Sequence, residues 1–164
     1  MLVLRAIISH THTGVTKMLC TLAVTLFLFT PPSLPRYEKR AQAAIHVCSD
    51  IVDRARDAQL DIVLPVGIGS VETGFRRDLE SSAGAVGPLQ VLPRYWCPKE
   101  GNCNSIDAAL NALKYCLNKE NGNETKALEC YAGRGKRGRA YARRVMQRVR
   151  YLRAALRISP PTSH

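Results

Sequence analysis

The feature that most constrains this fold is the segment 62–73, where nearly every side chain is apolar and one carboxyl group stands close to the end. Its apolar residues are Ile62, Val63, Leu64, Val66, Ile68 and Val71. Asp61 is placed to cap a helix here, and Pro65 fits into a first helical turn. Because a helix that is apolar on all sides has to be enclosed by other elements, the segment predicts a buried central helix with Glu72 at its C-terminal end.

Helical patterns surround this segment, and no stretch alternates apolar and polar residues for long enough to predict a strand. Apolar side chains that recur every three or four residues predict helices at 38–59, 105–117, 124–131 and about 139–156. The region 74–104 is rich in Gly and Pro and is predicted to form loops with at most short helices or strands. The predicted fold class is therefore mostly α.

Length and charge limit the protein classes that remain. The chain has 164 residues, of which 46% are apolar, and this suits one domain and excludes a disordered chain or a large multi-domain assembly. Its 24 basic and 13 acidic residues give a net charge of +11. Such a charge predicts attraction to an anionic partner, which can be nucleic acid, an acidic membrane face or an acidic wall polymer.

An apolar stretch at 19–29 precedes the predicted domain. It is shorter than the roughly 20 residues that a membrane-spanning helix needs, so it predicts a signal peptide or weak signal anchor, with a buried core helix as the alternative. Ala41-Gln42-Ala43 offers a cleavage site, and the proline-rich residues 30–37 are interpreted as a linker. We therefore expect an exported, periplasmic or extracellular protein, membrane-anchored at first if the segment is retained.

These features divide the chain into three parts. Residues 1–43 hold the export segment and the linker, residues 44–157 form the domain, and residues 158–164 form a disordered tail. We expect the protein to act as a monomer.

Six cysteines stand at positions 20, 48, 97, 103, 116 and 130. Neither their spacing nor the positions of the histidines fits a zinc finger, which argues against a metal site. Disulfides are the better interpretation in an exported protein. Cys97 and Cys103 could close a small loop, and a bond between positions 116 and 130 could cross-link a helical hairpin. Cys48 stays unpaired unless it bonds Cys20, and spacing alone does not select among the 15 pairings that six cysteines allow.

Glu72 is a candidate catalytic acid because a carboxyl group at the end of an apolar helix is an unusual placement. Desolvation disfavours its charged form and raises its pKa, which suits a general acid that works near neutral pH. The simpler alternative is a helix-end glutamate that points into water. The residues that follow Glu72 decide between the two.

A series of motifs begins around Glu72. Val-Glu-Thr-Gly-Phe at 71–75 leads to Ser-Ala-Gly-Ala-Val-Gly-Pro-Leu-Gln-Val-Leu-Pro at 82–93. Ala-Leu-Glu-Cys-Tyr-Ala-Gly follows at 127–133, and Tyr-Ala-Arg-Arg-Val at 141–145. In these motifs the chain resembles the soluble lytic transglycosylases of the lysozyme-like superfamily. That family carries Glu-Ser-x-Phe, Ser-x-x-Gly-Ala-x-Gly-Leu-Met-Gln-x-x-Pro, Ala-Leu-x-x-Tyr-Asn-Ala-Gly and Tyr-x-x-x-Val in the same order.

The resemblance covers about residues 60–150 and has some departures from the family pattern. Thr73 stands where the family has Ser, and Pro-Leu at 88–89 stands where it has Leu-Met. The asparagine that normally follows the tyrosine is missing after Tyr131. The segment 96–103, with a cysteine near each end, is not part of the general pattern.

The resemblance implies a single lysozyme-like domain, of the goose-type or lytic transglycosylase kind, that cleaves the β-1,4 bond between N-acetylmuramic acid and N-acetylglucosamine in peptidoglycan. It implies Glu72 as the single acid/base, which forms 1,6-anhydro ends without a metal or an organic cofactor. The implied substrate-binding residues are Ser82, Gly84, Gly87, Gln90 and Tyr131. The nearest alternative is a hydrolysing lysozyme (muramidase) that uses a second carboxylate, for which Glu80 is the first candidate.

The C-terminal region 134–157 carries ten basic residues and no acidic one. Its apolar residues recur at helical spacing, so one face can pack on the domain or on lipid. Besides the glycan strands of peptidoglycan, the expected partners are anionic wall polymer or lipid headgroups, and nucleic acid ranks lower for an exported protein. The alternative of another class is a cationic membrane- or nucleic-acid-binding protein.

The segment 133–138 also matches the dinucleotide-binding pattern GxGxxG. That pattern needs a preceding strand and a later acidic residue, whereas here a helix precedes it and no acidic residue follows, so we reject it. A small basic wall hydrolase with an export segment is typical of a phage lysis protein. A bacterial enzyme that clears wall for a secretion or conjugation apparatus stays an open alternative.

Overall fold

The computed structural model describes residues 2–27, 34–98 and 102–158. The helices in these ranges are α1 (Leu2–Phe27), α2 (Leu34–Asp57), α3 (Val63–Glu72), α4 (Pro93–Trp96), α5 (Ser105–Lys119), α6 (Glu124–Tyr131) and α7 (Lys136–Ile158). The described part of the chain has isolated β-bridges of Val86 with Glu80 and Val91 but no longer strand. The prediction of a mostly α fold is confirmed.

The apolar segment of the sequence forms α3, the central helix. Residues 63–69 of α3 are all buried, and the helix packs against α1, α2 and α7. The N-cap is Ile62 rather than Asp61, but the Asp61 carboxylate just before it accepts a hydrogen bond from the backbone N–H of Val63 at 2.7 Å. Gly67 lets α7 approach closely, because a Cβ at this position would lie 2.6 Å from Cγ2 of Val149. Close packing on several sides therefore fixes where the C-terminal end of α3 lies.

Helix α1 belongs to the same core. Its most deeply buried residues are Leu19, Cys20, Ala23 and Val24, all at most 1% exposed, and the helix packs against α2, α3 and α7. Such packing agrees with the alternative interpretation of the apolar stretch 19–29, a buried core helix. Residues 28–29 of that stretch lie outside the described ranges. Among the described helices, none combines the length and the apolar content that crossing a bilayer requires. Export of the chain stays a prediction.

Helix α2 begins earlier than the sequence pattern indicated. It starts at Leu34 and ends at Asp57, so the predicted cleavage site at 41–43 lies inside a helix. The predicted linker is helical from residue 34, and its residues 30–33 lie outside the described ranges. Residues 159–164 of the predicted tail lie outside them as well.

Three disulfides cross-link the described residues, and no cysteine there is free. They are Cys20–Cys48 between α1 and α2, Cys97–Cys103 after α4, and Cys116–Cys130 between α5 and α6. The two short-range pairs are those that spacing suggested. The third joins Cys48 to Cys20, the pairing that the spacing had left open. Three disulfides are typical of a protein that folds in an oxidising compartment.

Helix α7 lies across α3 with its apolar face inward. Tyr141, Val145, Val149 and Leu152 are at most 6% exposed, so this face packs on the domain rather than on lipid. The guanidinium of Arg153 donates hydrogen bonds to carboxylates that lie beside α3 and on α6, with N to O distances of 2.9 Å. Arg153 therefore ties α7 both to the start of the central helix and to α6.

Candidate active site

Glu72 is the last residue of α3 and is half-buried. The helix ends here because Gly74 and Phe75 adopt left-handed backbone conformations, with φ of 60° and 63°. Phe75 is 2% exposed, and its ring lies against the backbone of α3 at Gly69. The reversed backbone and the buried ring together hold the end of α3, and with it the carboxyl group of Glu72, in one place.

The surroundings of Glu72 favour its protonated form. Burial raises the pKa of this carboxyl, and its effect exceeds those of the nearby Tyr141 hydroxyl and of the nearby charge of Arg144, which lower the pKa. The pKa of Glu72 therefore lies above its ordinary value. A carboxyl group with a raised pKa keeps its proton closer to neutral pH, which is the property that a general acid needs.

Two tyrosines from different helices lie near this carboxyl group. Tyr131 ends α6, and Tyr141 lies in the first part of α7. Burial raises the pKa of both phenols well above the ordinary range, and the negative charge of Glu72 raises it further. Both side chains therefore stay protonated and can donate a hydrogen bond.

Tyr141 is the site residue that sequence reasoning missed. The sequence placed it first in the motif at 141–145 but assigned it no role, and it is 6% exposed. Within the described residues its hydroxyl makes no hydrogen bond of standard geometry, yet it lies close enough to Glu72 to lower the pKa of that carboxyl. Hydrogen bonds at catalytic groups are often long before substrate binds. Two signals could have found it. Tyr141 opens the motif at 141–145, and it is a tyrosine on an otherwise aliphatic face, where its polar tip needs a partner when buried.

Two hydroxyl groups fasten the loop after α3 to the helices around it. The Tyr131 hydroxyl donates to the Leu89 carbonyl at 2.8 Å. The buried Thr73 hydroxyl donates to the Pro88 carbonyl at 3.0 Å. The motif that this segment resembles has serine at the position of Thr73, and threonine carries a hydroxyl as serine does. The loop and the end of α3 are therefore joined by side chains that flank the candidate acid.

Gln90 lies inside this loop, with a left-handed φ of 52°. Its Nε2 donates to the carbonyls of Leu79 and Gly87, each at 3.0 Å. Both amide protons are therefore used within the loop, and the amide oxygen is the atom left to accept a hydrogen bond from a substrate. Gln90 thus shapes the loop as well as bordering the site.

The two glycines predicted to contact substrate face different surroundings. Both are left-handed, with φ of 77° at Gly84 and 75° at Gly87. A Cβ at Gly84 would meet nothing within 4 Å, so a ligand can approach the backbone there. A Cβ at Gly87 would lie 2.2 Å from Oγ of Ser105, so this glycine makes room for the N-terminus of α5. Ser82, the remaining predicted contact in this loop, is exposed.

Replacing Gly87 with alanine should destabilise the protein more than replacing Gly84. Each substitution forces alanine into a left-handed conformation, at a cost of about 1–3 kcal/mol. Only an alanine Cβ at position 87 also overlaps Ser105, and overpacking of this kind adds about 1–3 kcal/mol to the loss of stability. Denaturant unfolding of both variants beside the wild type measures the difference. Equal losses in the free energy of unfolding would contradict the packing role of Gly87.

The candidate second carboxylate has a different environment. Glu80 is exposed, and its backbone is bridged to Val86. Asp78, the other acidic residue of the loop, is exposed as well. Neither side chain shares the burial that raises the pKa of Glu72.

A cavity of about 570 Å³ lies beside this site. Tyr131 and Gln90 belong to its wall, together with residues of α4 and α5. Glu72 is not one of its lining residues. The cavity therefore adjoins the candidate acid through Tyr131 rather than containing it.

The raised pKa of Glu72 predicts a specific pH dependence of stability. A carboxyl whose pKa is higher in the folded state stabilises the fold while protonated, and this contribution is lost as pH rises through the folded-state pKa. At acidic pH, Glu72→Gln should therefore have the same melting temperature as the wild type. As the pH rises toward neutral, its melting temperature should rise relative to that of the wild type. Thermal unfolding over a pH series tests this. A difference that does not change with pH would contradict the burial of a titrating carboxyl.

Comparisons with protein-family models, with curated proteins and with solved structures find no match to this chain. Its likeness to the lytic transglycosylases accordingly rests on the motifs in its sequence. The functional interpretation rests on those motifs and on the geometry around Glu72.

Proposed function

We propose that this chain is a peptidoglycan lytic transglycosylase with a lysozyme-like fold, in which Glu72 is the single acid/base. The observation that carries the proposal is a half-buried carboxyl group at the end of a buried helix, its pKa raised by burial. Two tyrosines that stay protonated lie beside it. The ordered motifs between residues 71 and 145 support the same assignment.

In the first step, protonated Glu72 gives its proton to the oxygen that joins N-acetylmuramic acid to N-acetylglucosamine. The bond from that oxygen to C1 of the muramic acid breaks, and the acetamide carbonyl of the same sugar supports the positive charge that develops. Burial assists this step because it keeps the proton on Glu72 until the leaving oxygen accepts it. The Tyr141 hydroxyl can then donate a hydrogen bond to the carboxylate that remains.

In the second step, the Glu72 carboxylate takes the proton from the C6 hydroxyl of the muramic acid. The freed C6 oxygen attacks C1 and closes a 1,6-anhydro ring, which returns Glu72 to its protonated form. Glycosidases that use two carboxyl groups hold them about 5–9 Å apart beside the scissile bond. We assign the single-carboxylate route because the motifs around Glu72 resemble those of the lytic transglycosylases, and Glu72 is the acidic residue of this region that burial affects.

We place this activity outside the cytoplasm. The three disulfides need an oxidising compartment in which to form, and peptidoglycan lies in such a compartment. The net charge of +11 and the basic residues on the outer face of α7 favour contact with anionic wall polymer or lipid headgroups. The combination suits an enzyme that lyses cell wall.

Mass analysis of the products tests the proposed reaction. Digestion of purified peptidoglycan should release muropeptides that end in 1,6-anhydro sugar and are lighter by one water than the hydrolysis products. Such ends resist borohydride reduction, whereas hydrolysis produces ends that are reduced. Reducing ends alone would replace the proposal with a hydrolysing lysozyme. An absence of released fragments would overturn the enzyme assignment.

A further inference from the structure

A second cavity, of about 580 Å³, lies between α2 and the loop that follows α3. It shares no lining residue with the cavity beside Tyr131, and Glu72 does not line it. Asp78 is the one carboxylate among the described residues that line it. The basic side chains of its wall are Arg40, His46, Arg76 and Arg77. We call this space the basic cavity.

Two of these arginines have guanidinium N–H groups available to a ligand. Arg40 is exposed, and it makes no ion pair or side-chain hydrogen bond with the described residues. Arg76 is exposed as well, and its Nε donates to the Thr73 carbonyl at 3.1 Å. That single bond anchors the guanidinium to the loop. It leaves unused the two terminal nitrogens, which make no other hydrogen bond within the described ranges.

The excess positive charge of the wall lies on the same two arginines. Arg77 is already paired, because its guanidinium donates to the Asp50 carboxylate at 3.0 Å. Asp78 forms no ion pair with a described residue, so direct contact neutralises neither Arg40 nor Arg76. Two guanidinium groups therefore face the cavity against one carboxylate. Such a wall favours an anionic ligand.

We propose that the basic cavity binds a phosphate ester, with the phosphate on Arg40 and Arg76. Guanidinium groups pair with phosphate through parallel N–H···O bonds. A phosphate presents oxygens in several directions, so an arginine on α2 and another on the loop can bind it together. A carboxylate has only two oxygens, and they lie in one plane.

The remainder of the wall suits the organic part of such an ester. The cavity volume falls within the roughly 300–1,000 Å³ of small-ligand sites, which is more than an inorganic phosphate ion fills. The apolar residues of the wall are Ala43, Ala44, Val47, Phe75 and Leu79. Binding here does not depend on the reaction proposed for Glu72, because Glu72 does not line the cavity.

Calorimetric titration of glycerol phosphate into the full chain measures this binding, at one fixed ionic strength because salt screens exposed charges. Arg40→Gln and Arg76→Gln should each weaken binding about tenfold, the effect of losing a hydrogen bond between charged groups. Asp78→Asn should tighten binding about threefold, since it removes a carboxylate that repels the ligand. The matched control is Arg139→Gln, which removes the same charge from an exposed position of α7 outside the cavity.

Three outcomes would overturn the proposal. They are an absence of saturable binding by the wild type, unchanged affinity in both cavity variants, and an equal loss in Arg139→Gln. The last would mean that the net charge of +11, rather than the cavity, attracts the ligand. Tighter binding by Asp78→Asn would support the proposal in a way that damage to the fold cannot imitate.

Vesicles distinguish the two sources of such an ester. The chain is mixed with phosphatidylcholine vesicles that contain phosphatidylglycerol. If glycerol phosphate competes with the vesicles and Arg40→Gln weakens their capture of the chain, a lipid headgroup fills the basic cavity. If the titration shows the expected losses but capture responds to neither change, the cavity takes a soluble phosphate ester and the vesicles bind elsewhere on the basic surface.

Discussion

Replacing Glu72 with glutamine should lower the release of soluble fragments from peptidoglycan by about 10²–10⁴-fold, the usual contribution of general acid–base catalysis. The amide has nearly the same shape as the carboxyl group but can neither donate the proton to the leaving oxygen nor take one from the C6 hydroxyl. The fold should persist, since a neutral side chain at this half-buried position removes the cost of burying a charge. Clearing of a wall suspension and mass analysis of the supernatant measure the loss.

The matched variant is Glu80→Gln, which changes an exposed carboxylate of the adjoining loop. Its activity should be little changed. If both variants lose activity to the same extent, a hydrolase with two carboxyl groups explains the result better than a transglycosylase. If wall lysis survives Glu72→Gln unaltered, the enzyme proposal fails and disruption by the cationic surface gains support.

Removing the Cys20–Cys48 bond should cost more stability than removing either of the other two disulfides. In the chain-entropy model, a sequence separation of 28 corresponds to about 3.5 kcal/mol. The separation of 6 in Cys97–Cys103 corresponds to about 2 kcal/mol. Cys20 and Cys48 are also fully buried, so alanine there leaves space in the core.

Denaturant unfolding of two double-alanine variants, one for each of these pairs, compares the losses directly. The Cys97–Cys103 variant is the control for losing a disulfide at a partly exposed site. A loss for the Cys20–Cys48 variant that is no larger than the control would mean that α1 does not unfold together with the rest of the domain. That result would contradict the core packing of Leu19, Ala23 and Val24.

The parts of the fold that local sequence determines were predictable. The apolar segment predicted α3 as the buried central helix, with Asp61 at its start and Glu72 at its end. Both short-range disulfides could be suggested because their cysteines lie within 14 residues of each other. In these cases the pattern and the contact it predicts lie in the same stretch of chain.

The placement of α1 could not be predicted in the same way. A short apolar stretch has the same pattern whether it directs export or packs in a core, because its partner lies elsewhere in the sequence. The bond to Cys48 and the contacts with α3 and α7 are long-range facts. Spacing had left the pairing of Cys48 open for the same reason.

The same distinction between local and long-range contacts applies to the candidate site. Glu72 and the loop could be predicted as site residues because they are close in sequence and form a motif. Tyr141 lies on another helix, and only folding brings its hydroxyl near Glu72. The packing of Gly87 against Ser105 likewise joins a loop to the start of α5, and the sequence pattern of the loop contains no information about that contact.

The bond between α1 and α2 has a consequence for how a cut chain would behave. Any peptide bond broken between Cys20 and Cys48, the predicted cleavage site at 41–43 included, leaves two fragments that are still covalently joined. After the disulfide has formed, a protease acting there would nick the protein without separating its N-terminal piece. On a denaturing gel such a nicked molecule should migrate near full size until a reductant divides it.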